Sequence, residues 1–89
     1  MNNWPIKDPD DVLDYSIDWT ARLAGDTISS SIWIVPAGIT KDSDSNTDSI
    51  STIWLSAGTV GQRYNITNRI TTVAGRTIDN TVSLIVQEQ

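Results

Sequence analysis

In the stretch "DSDSNTD", Asp42, Asp44, Asn46 and Asp48 stand at alternate positions, as oxygen ligands for calcium often do. An EF-hand loop also needs glycine at its sixth position and a bidentate glutamate at its twelfth. This chain has Thr47 and Ile53 there, so that site is excluded as written. The stretch reads instead as a solvated acidic loop, or as an edge strand whose charges deter aggregation. No cysteine and no histidine occur, which removes thiol nucleophiles, imidazole bases, disulfide staples and the commonest transition-metal ligands together. Paired carboxylates could be drawn from the many aspartates. No glycine-shaped nucleophile elbow, phosphate loop or apolar cleft accompanies them, and the one glutamate, Glu88, lies at the end of the chain. The expectation is a protein with no catalytic residues, no cofactor and no metal. Asn65-Ile66-Thr67 satisfies the N-glycosylation pattern, but without a secretory signal it reads as accidental.

The elements that would position such residues are short strands. With 89 residues there is room for one domain with one modest core. At 38% hydrophobic and 19% charged, the chain is too apolar for disorder. The formal net charge of -5 leaves no basic face for phosphates, so nucleic acid is not an expected partner. No apolar run approaches a bilayer span, the start lacks the pattern of a signal peptide, and synthesis in the cytoplasm is expected. Residues 1–10, with Pro5, Pro9 and clustered Asp, read as an extended N-terminal arm carrying Trp4; residues 11–89 read as the folded domain.

"VLDYSIDW" alternates cleanly, with Leu13, Tyr15, Ile17 and Trp19 on one face. "TISSSIWIV" stops at Pro36-Ala37-Gly38, "ISTIWLS" leads into the corner "AGTVG", and the chain closes with strands over about 63–73 and 77–87 joined at Ala74-Gly75. Turn signals every ten residues or so describe an antiparallel all-β sandwich or barrel, and the corner before Tyr64 favours an immunoglobulin-like sandwich. There a tyrosine hydroxyl bonds the preceding backbone. Asn68 falls on the apolar side between Ile66 and Ile70, so it must find hydrogen bonds inside or be turned out by a bulge. "IWIV" and "IWL" place apolar side chains on both faces of their strands. Trp33 is the candidate core tryptophan, while Ile32, Ile34 and Trp54 are left for a bulge at Ser29–Ser31 to re-register or for a partner to cover, the second being favoured. Trp4 is the best single anchor for a partner.

The series "KDPD", "DYSIDW", "VPAGIT", "WLSAGT", "TNRITT" and "AGRT", in that order from Lys7 to Val86, resembles the phage fibre-tail adaptor proteins of tailed double-stranded DNA phages. The resemblance implies an immunoglobulin-like structural component of a virion, near the head-tail junction or the fibre attachment, and no catalysis. Other virion proteins are the expected partners, with multiple copies in a ring in which each subunit presents one face to the next, and no membrane. The competing reading is an immunoglobulin-like carbohydrate- or surface-binding module, in which exposed Trp and Asp stack on and hydrogen-bond a sugar.

Overall fold

The computed structural model describes residues 2–3, 7–8 and 10–87; Trp4, Pro5 and Pro9 lie outside the described residues. Its strands are β1 (Asn2–Asn3), β2 (Leu13–Asp18), β3 (Ile28–Ile34), β4 (Ile39–Asn46), β5 (Ile50–Ala57), β6 (Arg63–Thr72) and β7 (Thr77–Ile85), with one helical turn, α1 (Thr20–Leu23). Among the described residues they form two sheets, ordered β1-β7-β6-β3 and β2-β5-β4, and every pairing is antiparallel except β1 with β7. The protein is all-β, consistent with a β-sandwich.

The alternation that predicts β2 sets its burial: Tyr15, Ile17 and the following Trp19 are buried while Asp14, Ser16 and Asp18 face outward. They pack with Ile53 and Leu55 of the adjacent β5 and, from the other sheet, with Tyr64, Ile66 and Ile70 of β6 and Val82 and Leu84 of β7. The closing hairpin pairs in register from Arg63↔Ile85 to Thr71↔Thr77 and turns at Gly75, whose φ of +92° suits glycine.

Two bulges decide which side chains face out. In β3 the register shifts between Ile28 and Ser30, so Ile28 and Trp33, of opposite parity, are both buried. Ile32 and Ile34 nevertheless remain outside, so the bulge and the exposed isoleucines coexist. In β4 the register shifts between Lys41 and Ser43. The acidic stretch is thus an edge strand: it has no apolar alternation of its own, and its backbone is held by β5.

The described part of residues 1–10 lies along β7. Asn2 and Asn3 pair with Val82 and Ser83, and Lys7 bridges Val86. The Lys7 amide donates to Ile85 O at 3.1 Å, and its carbonyl accepts from Gln87 N at 2.9 Å. Its side chain is buried, with Nζ donating to Ala57 O at 2.6 Å and to Asp8 O at 2.8 Å.

Candidate functional site

The polar centre of the interior is Asn68. It is fully buried opposite Trp33, and its side-chain amide makes three hydrogen bonds of good length. Its Oδ1 accepts from Trp19 Nε1 at 3.0 Å, and its Nδ2 donates to Ser31 Oγ at 2.9 Å and to Ile32 O at 3.0 Å. One amide therefore joins the end of β2 to β3 and β6, across both sheets. A buried polar group so satisfied holds register; it is not poised for a ligand. Tyr64, at the start of β6, is buried, and its hydroxyl accepts from Thr59 N at 2.9 Å. The ring lies so close to Gly38 that a Cβ there would sit 3.1 Å from the hydroxyl oxygen.

A second polar cluster ties α1 to the β6–β7 turn. Arg76 Nη2 donates to Leu23 O at 2.7 Å and to Asp26 Oδ2 at 3.1 Å, and Asp26 Oδ1 accepts from Thr27 N and Ala74 N. A hydrogen bond from Thr72, with those from Thr27, Arg76 and Ala74, holds the Asp26 carboxyl down at about 2 despite partial desolvation. Burial, aided by the nearby charges of Asp11 and Asp14, pushes the Tyr15 hydroxyl up to about 12.

The outer faces carry the exposed candidates. On the four-stranded sheet, Ile32 lies beside Arg69 and Ile34 beside Thr67. Arg69 chelates Asp79 with two hydrogen bonds, at 2.9 and 3.1 Å, and Thr67 bonds Thr81 at 2.9 Å. The pairing holds the Asp79 carboxyl below its ordinary range and raises the Arg69 guanidinium. On the three-stranded sheet, Trp54 stands between Asp14 and Ser43, near the Ser16–Thr52 and Ser56–Asp42 hydrogen bonds. Ile32, Ile34 and Trp54 are 57%, 46% and 41% exposed. They belong to the outsides of different sheets, so the structure does not bring the three into one surface, and Trp4 lies outside the described residues.

Asp42 and Asp44 are engaged by Ser56 Oγ and Lys41 Nζ. Among the described residues no three His, Cys, Asp or Glu side chains cluster to hold a metal, no pocket is enclosed, and no helix is long and apolar enough to cross a membrane. Sequence reasoning missed Lys7 and the Asp26–Arg76 clip, since neither has a spacing that signals its partner.

Two sheets, an interior tied together by Asn68 and exposed apolar side chains on the outer faces define a small β-sandwich module. Residues 7–85 match the Gp77 family model, described as podophage GP4 fiber-tail adaptor protein gp77; the chain belongs to this family and is a structural component of a phage virion. The family is not known as one of enzymes. No curated protein matches the chain.

Proposed function

We propose that this chain is a non-enzymatic adaptor of the virion, fastening tail, connector or fibre proteins at the head-tail junction or the fibre attachment through protein-protein contacts alone. The observation that carries it is the family match across residues 7–85. An immunoglobulin-like type is supported by β1 running parallel to the last strand, by a buried tryptophan, Trp33, on the strand next to β6, and by Tyr64 bonding the backbone of the corner before it. Several copies in a ring fit the unlike outer faces, because each subunit of a ring presents one surface and receives another. On this reading the chain is made in the host cytoplasm, and residues 1–10, although paired with β7 at Asn2–Asn3 and Lys7, offer Trp4 as an anchor to a neighbour, with Ile32, Ile34 and Trp54 as further contacts.

The test is recovery in purified particles. Trp4→Ala is expected to fold as the parent does and to be incorporated less. Equal incorporation would remove the anchor, and absence of the parent chain from particles would remove the adaptor reading. Trp54 beside Asp14, on a face rich in hydroxyls, favours one second reading, a sugar-binding module. Quenching of fluorescence by oligosaccharides, abolished in Trp54→Ala, would support that reading instead.

A further inference from the structure

The two outer faces of the sandwich carry opposite charge. Residues directly across an antiparallel pair share a face, so on the three-stranded sheet Asp14 lies beside Trp54 and Asp18 beside Ile50, all four exposed. Asp42 reaches the same face, where its carboxylate accepts from Ser56 Oγ. Lys41 is not on it, since its partner Leu55 is buried on the inward side. The outward positions of β2, β4 and β5 thus offer carboxylates and no cation around an exposed tryptophan.

On the four-stranded sheet the sign is reversed. Ile32 lies beside Arg69 and Ile34 beside Thr67, and Arg63 stands outward at the start of the same strand, β6. Asp79 occupies two of the five N–H donors of Arg69, so the guanidinium can still take a second carboxylate. Each face therefore holds a large apolar side chain directly across from a charge: Trp54 with Asp14 on one, Ile32 with Arg69 on the other. The two motifs match in shape of pattern and oppose in sign.

We infer that a second copy of this chain covers these faces, the Trp54 face of one copy packing on the Ile32 and Ile34 face of the next, with Asp14 and its neighbouring acids towards Arg69 and Arg63. The inference rests on the reading of several copies in the virion and names the surfaces that meet. Like faces do not pair as well: two Trp54 faces set carboxylates against carboxylates, and two Ile32 faces leave both tryptophans uncovered. With a net charge of -5 on each copy, only the unlike pairing brings opposite signs together. The faces belong to different sheets, so the contact is head-to-tail, and copies add in one direction until the rotation between them closes a ring.

The experiment is sedimentation of the full chain and of two variants, Asp14→Lys on one face and Ile32→Glu on the other. The parent is expected to associate as its concentration rises towards about 1 mM, and less so in high salt, which screens exposed charges. Each variant alone should associate about tenfold less, because every contact between its copies includes the altered face. Mixed in equal amounts, the two should form a dimer that grows no further: the Ile32→Glu variant supplies an intact Trp54 face and the Asp14→Lys variant an intact Ile32 face. Recovery in the mixture also shows that both variants fold. A parent that stays monomeric, association that salt leaves unchanged, a variant that associates as the parent does, or a mixture without the dimer overturns the inference. None of these outcomes touches the adaptor reading, which stands or falls on recovery of the parent chain in particles.

Discussion

At the β7 side of the sandwich the backbone edge is covered by the chain's own N-terminal residues, and Lys7 is drawn inside to bond Ala57 O. At the β3 side an uncharged strand with two exposed isoleucines pairs, among the described residues, with β6 alone, and the Ile28 amide donates to Asp48 O. The closed side is held by the chain's own backbone and a buried lysine, whereas the more open β3 side presents two apolar side chains to solvent.

The sharpest way to break the closed side is at its corner. Gly58 has a φ of +101°, and a Cβ there would stand 2.7 Å from Val86 Cγ2. Gly58→Ala should cost about 3 kcal/mol in chemical denaturation, from backbone strain and overpacking together. Lys7→Met keeps the hydrocarbon stem but leaves Ala57 O without its donor, and should cost about 2 kcal/mol. The same measurement on Ile34→Thr, at the open side, should show less than about 0.5 kcal/mol. If Ile34→Thr cost as much as Lys7→Met, the division of labour between the sides would fail.

Tyr64→Phe sharpens the comparison, because its hydroxyl holds Thr59 N in the loop that follows Gly58. A loss of about 1 kcal/mol is expected. The smallest effect at neutral pH concerns acid. The Asp26 carboxyl is depressed to about 2, so its contribution is fully present above the ordinary carboxylate range near 4 and is lost as pH falls through about 2. The parent's stability should drop across that window, and Asp26→Asn should flatten the drop; an unchanged acid limb in the variant would show that the clip to Arg76 is not the titrating element.

Strand positions were legible because Tyr15, Ile17 and Trp19, or Tyr64, Ile66 and Ile70, alternate with polar residues. The same alternation put Asn68 on the apolar side and left a bulge as the alternative; the structure buries it. It could not show that its partner is Trp19, because parity carries no information about a residue 49 positions away. β4 was harder to read as a strand: it is polar on both faces, and its pairing comes from β5, not from its own side chains. The candidates Ile32, Ile34 and Trp54 were found as exposed residues, yet their separation onto two sheets depends on pairing, which composition does not encode. Lys7 gave no sign, since a lysine among aspartates and prolines reads as solvated.

The parallel run of the N-terminal residues against β7 also has a mechanical meaning. A pull that draws Asn2 away from Gln87 along the strand axis does not peel the chain from one end. It loads the Asn2–Asn3 pairing, the Lys7–Ile85 and Gln87–Lys7 hydrogen bonds and the Lys7 ammonium on Ala57 together, in shear. Bonds that must break at once resist longer than bonds that break in turn, so the geometry of this seam opposes a pull applied between Asn2 and Gln87.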